Sequence, residues 1–454
     1  MDFKGKKVLV YGAGKSGVGA ANLLAQTGAV PVLFDEKAGV TPKELLSRVA
    51  EPEKTEAVAG ELTDELIASL ALAVLSPGVP TDIPNVERIR TAGVPIWGEV
   101  ELAYQVGRGR VLAITGTNGK TTTTSLLGEI MKAAVPEVFV VGNIGNAYTG
   151  AALSTTDRST VVAEISSFQL ETIHSFHPQV SAILNITEDH MNRHHTMAEY
   201  IRVKELITKN QTKKDTCVLN YEDPVLRGFA DKCPARVFWF SSKTKLDDGI
   251  YLDGDEIVLN RDGVRADIVN VNDLILIGTH NYENVMAAVA MAYSAGVDIS
   301  TIADVCRHFK PVAHRIEYVD EKKGVAWYND SKGTNPDAAI KGIQAMKRPT
   351  FLIAGGYDKG SDYRGWIRSF GDKVKKLVLE GATKDNIRAA ALECGFPEKD
   401  IVMTNTMHEA MDYCRDHAEA GDAVLLSPAC ASWGEFPNYE VRGDKFKEYV
   451  RTEI

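Results

Sequence analysis

The sequence predicts an α/β chain of three domains. Rossmann-like sheets are expected at residues 1–98 and 311–454, with a central P-loop-type α/β domain at 99–310. Three observations predict this. At 454 residues the chain exceeds what one hydrophobic core usually serves. Short apolar runs alternate with helical patterns, as in doubly wound sheets. Two glycine-rich turns, Gly12-Ala-Gly-Lys-Ser-Gly17 and Gly116-Thr-Asn-Gly-Lys-Thr121, each follow a strand-like run and open a helical one.

In the first domain, Lys7-Val-Leu-Val-Tyr11 reads as a strand leading into the first glycine turn. A helical run (Ala20 to Thr27) and a second strand, Val30-Pro-Val-Leu-Phe34, follow, ending in Asp35. Strand, glycine turn, helix, strand and terminal acid make a dinucleotide-binding fingerprint, in which glycines let the backbone approach a diphosphate. Taken alone it predicts a nicotinamide cofactor. The alternative is a βαβ unit that holds another phosphate compound. Leu72 to Leu75 is a further strand, breaking into Ser76-Pro77-Gly78-Val79-Pro80 at the strand end where open α/β sheets hold ligands.

The second domain opens on the apolar run Val111 to Ile114, the second glycine turn, and helix-compatible sequence carrying Leu126, Leu127, Ile130 and Met131. Backbone N–H groups of such a turn, with the helix N-terminus behind them, face a phosphate. Lys120 can reach β- and γ-phosphates and the Thr121 hydroxyl can ligate Mg²⁺. Ile114 stands where the longer phosphate-loop pattern wants a small residue, so this is a shortened loop, and an ordinary glycine-rich turn is its rival. Strands are predicted at Thr160–Ile165, Val180–Ile186, Asp215–Asn220 and Arg236–Phe240, with a hairpin over 249–265 turning at Asp253-Gly254. Residues 278–284 open an amphipathic helix at Val285 to Ala295, and a helix capped by Ser300 or Thr301 follows. In the third domain, strands are predicted at Val325–Tyr328, Thr350–Ala354, Lys376–Leu379, Ile401–Met403 and Ala423–Leu426. Helical patterns lie at 338–346, 385–394 and 407–419.

Composition narrows the function classes. A hydrophobic content of 44% with 25% charged residues is the ordinary balance of a soluble globular chain. The net charge of −10 argues against non-specific nucleic-acid binding, which needs a basic face, but leaves room for anionic small ligands in local pockets. No apolar run reaches the roughly 18 residues of a membrane span. The opening MDFKGKK lacks the apolar core of a signal peptide. Six cysteines without a C-x-x-C pair suit free thiols in a reducing cytosol. A cytoplasmic monomer is expected, with neither nucleic acid nor membrane as partner.

Polar residues at predicted strand ends are the candidates for chemistry. Glu164 comes late in an apolar strand, where a carboxylate is costly unless it meets a cation; Mg²⁺ or a salt bridge would satisfy it. Asp189-His190-Met-Asn-Arg-His-His195 holds three histidines, at a spacing that fits no established zinc pattern. His190 suits a metal ligand or proton carrier, while His194 and His195 read as surface residues. Lys204 lies on a helix whose Tyr200, Val203 and Ile207 share a face, and by sequence alone it is a solvated lysine. In the third domain, His314-Arg315, the stretch Asn329 to Asn335, the glycine-rich Gly355 to Gly360 and Ser427 to Trp433 all break after predicted strands, so Arg315, Lys332 and Lys359 converge on one rim.

Taken together, several motifs resemble the Mur ligase family over essentially the whole chain and in the same order. They are Thr115-Gly-Thr-Asn-Gly-Lys-Thr-Thr122, Gly142-Asn-Ile-Gly145, Glu164-Ile-Ser-Ser-Phe-Gln-Leu170, Asp189-His190, His280-Asn281-x-x-Asn284, His314-Arg315 and Leu426-Ser-Pro-Ala-Cys-Ala-Ser-Trp433. Asn329-Asp330-Ser331-Lys332-x-Thr334-Asn335 resembles the branch of that family that uses D-glutamate.

The resemblance implies an ATP-dependent ligase that joins D-glutamate to UDP-N-acetylmuramoyl-L-alanine in peptidoglycan precursor synthesis, through an acyl phosphate and a tetrahedral intermediate. It implies one domain for the UDP end, a central ATPase and a C-terminal domain for the amino acid. The first glycine turn then holds a UDP-sugar rather than a nicotinamide, with Gly14, Ser16, Asp35, Glu36, Ser76, Pro77 and Gly78 as contacts. Gly116, Thr117, Asn118, Gly119, Lys120, Thr121 and Thr122 would cradle ATP. Thr121, Glu164 and His190 would hold Mg²⁺, two ions in all, and Asn143 would lie beside the reacting carboxylate. Lys204 matches a family lysine that becomes carbamylated and can then hold or orient Mg²⁺. Asn281, Asn284, Arg315 and Asp330 would meet adenine, ribose or phosphate. Lys332, Thr334, Lys359, Ser432, Trp433 and Tyr439 would hold D-glutamate, although Trp433 stands where a smaller apolar residue is typical. A nicotinamide oxidoreductase is the reading from another class, and it leaves the phosphate loop and Glu164 unexplained.

Overall fold

Apolar runs bounded by glycine turns leave strands buried on both faces, and three sheets result. The computed structural model describes residues 2–142, 146–310, 313–357 and 360–454, the side chain of Asn192 excepted. Two predicted site residues, Asn143 and Lys359, lie outside the described residues. The first sheet is parallel, with strands β1 (Lys7–Tyr11), β2 (Val30–Asp35), β3 (Glu56–Ala59), β4 (Leu72–Leu75) and β5 (Ile96–Gly98) in the order β3-β2-β1-β4-β5. The order reverses between β1 and β4, so the first glycine turn and the Ser76–Pro80 loop flank the switch point where such sheets bind ligands.

The central sheet comprises β6 (Arg110–Thr115), β7 (Val138–Gly142), β8 (Thr160–Glu164), β9 (Val180–Ile183), β10 (Thr216–Asn220), β11 (Arg236–Ser241), β12 (Gly249–Asp253), β13 (Glu256–Arg261) and β14 (Val264–Asn270). Its order is β14-β13-β12-β11-β10-β9-β6-β8-β7. The strands from β7 to β12 pair in parallel, and the predicted hairpin at Asp253-Gly254 gains β14 as a third antiparallel strand. Because β6 sits between β8 and β9, the phosphate loop, Glu164 and the chain after Ile183 emerge side by side. Strand β9 stops three residues short of its predicted end, since Leu184 and Asn185 turn aside to bond Thr115 and Thr117.

The last sheet comprises β15 (Glu317–Lys322), β16 (Val325–Asn329), β17 (Thr350–Gly355), β18 (Val374–Glu380), β19 (Ile401–Met403) and β20 (Ala423–Leu426), in the order β15-β16-β20-β17-β18-β19. It is parallel except for the edge strand β15. Strands β3, β5, β7 and β15 are not among the predicted strands, although β7, Val-Phe-Val-Val-Gly, is an apolar β-branched run. β15 is charged at four of six positions, the composition that keeps an edge from pairing further. The helix expected from Val285 begins earlier, at Thr279, and the one after it starts at Ile299, where the Asp298 carboxylate caps it through Ser300 N–H at 3.0 Å.

By contacts the chain forms two units, Met1–Asp273 with Glu283–His308, and Leu274–Tyr282 with Phe309–Ile454. In the first, one apolar core runs without a break from Val8, Val10 and Leu72 to Val111, Val161 and Ile183, which fixes the first two sheets against each other. In the second, cores cover both faces of the last sheet, one built around Leu352 and Trp366, the other around Trp327, Ile353 and Phe446. All six cysteines are free; Cys217 and Cys233, distant in sequence, meet as a hydrogen-bonded pair. Among the described residues no helix is long and apolar enough to cross a membrane.

Candidate active site

The switch point of the first sheet opens into a cavity of about 400 Å³, within the size range of small-molecule sites. Gly14, Ser16, Asp35, Ser76, Pro77 and Gly78 all line it, as predicted from sequence. Asp35 is fixed by the backbone N–H of Ala13 at 3.1 Å, and the Ser76 hydroxyl donates to the Gly12 carbonyl at 2.7 Å. Glu36 is not among the lining residues; its carboxylate accepts bonds from the Tyr11 hydroxyl at 2.6 Å and from Asn85 at 3.0 Å. Gly142, at the end of β7, and Gln169, on the short helix Ser167–Leu170 that follows β8, also line it. Gln169 was quoted within a motif but not singled out by sequence reasoning.

The phosphate loop runs from β6 into the helix Lys120–Ala134. Gly119 adopts a left-handed φ of 86°, and a Cβ there would fall 2.2 Å from Asn284 Oδ1, so the loop tolerates only glycine beside Asn284. Asn185 pins the loop from β9: its Oδ1 accepts the Asn118 N–H at 2.8 Å, and its carbonyl accepts that of Thr117 at 2.9 Å. The Thr117 hydroxyl meets the Tyr200 hydroxyl at 3.1 Å. Thr122 is buried in the first helical turn. Lys120 Nζ donates to the carbonyls of Gly116 and Thr117, both at 2.8 Å.

Lys204 corrects the reading of a solvated helix lysine. Its side chain is buried, its Nζ donates to the same Gly116 carbonyl at 2.8 Å, and it lies 4.6 Å over the Tyr200 ring. Burial, with Lys120 nearby, holds its amine well below the ordinary lysine range. The helical period put Lys204 next to the apolar stripe, but only the loop above it encloses it. Glu164 ends β8 and is buried, next to β6 in the sheet.

The segment 190–195 is a single short helical turn with left-handed residues at both ends, His190 at φ 57° and His195 at φ 63°. His190 packs against Phe168 with ring centroids 4.8 Å apart and the rings tilted by 58°, its side chain 48% exposed. His194, expected at the surface, is instead buried between Phe168 and Tyr200, with Nε2 2.9 Å from the Ser167 hydroxyl, and burial lowers its pKa. His195 is exposed, as expected, and pairs with Asp82 at 3.1 Å. Arg193, unremarked in the sequence, pairs with Glu171 at 2.5 Å and donates to the Val79 carbonyl at 2.9 Å.

The second unit builds its own rim. Asn329 ends β16 and bonds His314 Nδ1 at 3.1 Å. Asp330 is fully buried, accepting from the Ser427 hydroxyl at 2.7 Å and Ile316 N–H at 3.3 Å, with Arg315 at 3.7 Å; burial raises its carboxyl to about 6. Its role is therefore to hold Arg315 and the strand-end loops. His280 is pushed down to about 3 by burial and by Arg315 and Lys341, so it stays neutral. Asn281 donates to the Ile277 carbonyl at 2.8 Å.

Lys332 follows this turn, its Nζ 5.7 Å over the Tyr439 ring, and its carbonyl accepts the Thr334 N–H at 2.9 Å. Ser432 is buried, whereas Trp433 is 53% exposed and packs edge-on to Tyr357 at 5.5 Å. One buried cation that sequence reasoning missed joins these loops. Arg442 donates to Ser331 Oγ and O, both at 2.9 Å, and to the Cys430 carbonyl at 3.2 Å. On its helix, Tyr439–Thr452, it reads like any charged residue, so no local signal marks it.

Comparison with known proteins follows from this geometry. Family models match in series over residues 6–98 (Mur ligase MurD-like, N-terminal domain), 114–292 (Mur ligase middle domain) and 314–430 (Mur ligase, glutamate ligase domain). The chain belongs to the Mur ligase family. The UDP-N-acetylmuramoylalanine--D-glutamate ligase of Lachnoclostridium phytofermentans is 53% identical over 452 residues, covering 100% of this chain and 99% of that protein. The ligase of the same name from Clostridioides difficile is 45% identical, covering 100% of both chains. Among solved Mur ligases, MurC of Thermotoga maritima superposes with a TM-score of 0.61 at 18% identity, over 99% of this chain and 100% of that one. MurF of the same organism, solved in complex with ADP, gives 0.59 at 17% identity, over 99% and 96%. At such identity these structures show the three-domain α/β Mur ligase fold.

Proposed function

We propose that this Mur ligase joins D-glutamate to UDP-N-acetylmuramoyl-L-alanine at the expense of ATP, in peptidoglycan precursor synthesis. The full-length identity to ligases of that name carries the choice of substrates. Three domains serve the reaction: 1–98 for the UDP end, 99–310 for ATP and 311–454 for the amino acid. The 400 Å³ cavity takes the UDP-linked donor, its diphosphate facing the Gly14–Ser16 turn. ATP lies on the phosphate loop, near Asn284, with Asn281 and Arg315 meeting its base, ribose or phosphates, and Asp330 orienting Arg315. D-Glutamate is received by Lys332, Thr334, Lys359, Ser432 and Tyr439, with Trp433 at the rim.

In the first step a donor carboxylate oxygen attacks the γ-phosphorus, the bond to the bridging oxygen breaks, and ADP leaves an acyl phosphate. The amine of D-glutamate then attacks the carbonyl carbon, and the tetrahedral intermediate expels phosphate as the amine loses its proton. Both steps bring anions together, so charge neutralisation dominates. Lys120 supplies it at the phosphates and Asn143 steadies the donor carboxylate. Where it holds no ion, His190 is the alternative acceptor of the amine proton.

The residues present suit Mg²⁺. Thr121 and Glu164 offer oxygen donors, and among the described residues no cluster of three or more acidic, histidine or cysteine side chains gathers to enclose an ion. Phosphate oxygens and water would therefore complete each shell. Bound there, Mg²⁺ would spread the charge of the transferring phosphoryl group. Glu164 with His190 would serve the second ion, which a carbamylated Lys204 would hold or orient. The burial of Lys204 supports this, because it lowers the pKa of the amine and only a neutral amine adds CO₂.

Phosphate release with ATP, Mg²⁺ and UDP-N-acetylmuramoyl-L-alanine tests the reading. Release that depends on D-glutamate, with the ligated product seen by mass, is the expected result. Release with L-glutamate or another amino acid instead would overturn the substrate assignment.

A further inference from the structure

Two carboxylates open the helix Glu99–Val106, both buried and satisfied very differently. Glu101 accepts the backbone N–H groups of His174, Ser175 and Phe176 at 2.8 to 2.9 Å, and the Gln105 amide at 2.9 Å. Glu99 accepts a single bond, from Gln169 Nε2 at 2.8 Å, and its Oε2 is buried without a partner. Burial pushes the Glu99 carboxyl up to about 7, with Gln169 opposing. A half-satisfied buried acid is costly, and packing alone would be served better by an apolar residue.

The one bond Glu99 makes is informative. Gln169 closes a capping box: its Oε1 accepts the Ser166 N–H at 2.8 Å and the Ser166 hydroxyl at 3.0 Å, and its N–H donates to that hydroxyl at 3.3 Å. Ser166 stands two residues beyond Glu164. The amide nitrogen of Gln169 must then find an acceptor on its other side, and Glu99 supplies it. The same side chain lines the 400 Å³ cavity, and a smaller recess behind it is walled by Glu99, Gln169, Ser76, Pro77 and Arg193. The chain just before the helix Glu99–Val106 is pressed against the segment that follows Gln169: a Cβ at Gly98 would lie 2.3 Å from the Thr172 hydroxyl.

We propose that Glu99 is a positioning residue for the UDP-linked donor: it fixes which way round the Gln169 amide sits, so that one edge braces the turn after Glu164 and the other shapes the donor cavity. The proposal rests on the donor assignment made above.

The test compares Glu99→Met, Glu99→Gln and Gln169→Met, plus the double Glu99→Met/Gln169→Met, by steady-state kinetics with all three substrates and by thermal melting. Glu99→Met and Gln169→Met should each raise the KM for UDP-N-acetylmuramoyl-L-alanine about tenfold, the double no further, while the KM values for ATP and D-glutamate move less than about threefold. Glu99→Gln retains an acceptor oxygen and should restore donor KM to within about threefold of the wild type. Unchanged donor KM in the two methionine variants, equal rises for all three substrates, or additive effects in the double would overturn the proposal. If Glu99→Met fails to fold, Gln169→Met alone carries the same comparison. A wild type that turns over D-glutamate beside unshifted variants removes only the positioning role; a wild type that neither binds nor uses the donor removes the donor assignment and the proposal with it.

Discussion

Replacing Gly443 by alanine puts the fit of the last helix to the test. In an exposed helix interior that change stabilises by up to about 1 kcal/mol, because glycine is the poorer helix former. Here the new Cβ would lie 2.1 Å from His314 Nδ1 and 3.0 Å from both side-chain polar atoms of Asn329. No atom pair tolerates 2.1 Å, so His314 or the helix must move. His314 is held in a left-handed conformation, with its N–H on Glu317 at 2.8 Å, and cannot step aside freely. Overpacking costs about 1–3 kcal/mol, and loss of the His314–Asn329 bond about 1 more, so the net effect is a destabilisation of roughly 1–3 kcal/mol. Asn329 Oδ1 also accepts the Ser331 N–H at 3.1 Å, so the displacement passes into the turn that presents Lys332. Gly228→Ala is the control: Gly228 lies on the exposed face of the helix Pro224–Ala230, and a Cβ there meets no atom within 4 Å. Urea midpoints and the KM for D-glutamate should separate the two variants, Gly228→Ala gaining stability with unchanged KM and Gly443→Ala losing both stability and affinity. Equal stabilisation by both, with D-glutamate KM unmoved, would refute the packing argument.

Lys120→Ala should abolish ATP turnover, whereas Lys332→Ala should keep nucleotide binding and lose D-glutamate-dependent product; phosphate release and nucleotide titration check this, and normal ligation by either would break the assigned roles. Wild type in labelled bicarbonate should show a carbamate carbon by NMR that is missing from Lys204→Arg, together with activity that falls when CO₂ is stripped out. The Glu99 carboxyl lies at about 7 in the fold against an ordinary glutamate value of 4.5, so the folded chain keeps a proton that the unfolded chain gives up. Its contribution is thus fully present below 4.5 and lost as pH climbs to about 7. That loss amounts to roughly 3 kcal/mol. Glu99→Gln should flatten this dependence in denaturant midpoints taken at either end of the window, and parallel curves for the two proteins would contradict it.

Much of the fold was legible because its strands are buried on both faces and read as short apolar runs between glycine or polar breaks, as at Val8–Val10, Val161–Ala163 and Leu352–Ala354. Apart from the apolar β7, the strands that escaped notice are short or polar. Three-residue β5 offers no period, and β15 is dominated by charge. The end of β9 was misjudged because Leu184 to Ile186 are as apolar as a strand but serve to pin the phosphate loop. Within the site, the cavity residues Gly14, Ser16, Asp35 and Ser76 could be named in advance because Asp35 ends β2, Ser76 follows β4, and Gly14 and Ser16 lie in the turn and first helical residues after β1, where chain direction decides exposure to ligand.

What the sequence by itself determined are the strand-end motifs, their order and the chemistry of each: glycines where the backbone must turn on a phosphate, Lys120 and Thr121 behind them, and a carboxylate at the end of β8. These are local, since spacing along one strand–turn–helix unit sets their geometry. The tertiary structure alone decided the burial of Lys204, His194, Glu99 and Arg442, because each is enclosed by chain far away in sequence: Gly116 over Lys204, Ser167 beside His194, Gln169 against Glu99, Ser331 and Cys430 around Arg442. A charged residue's environment depends on which distant segments pack over it, and desolvation then changes its protonation and its partners. No period or motif in the residue's own segment records that.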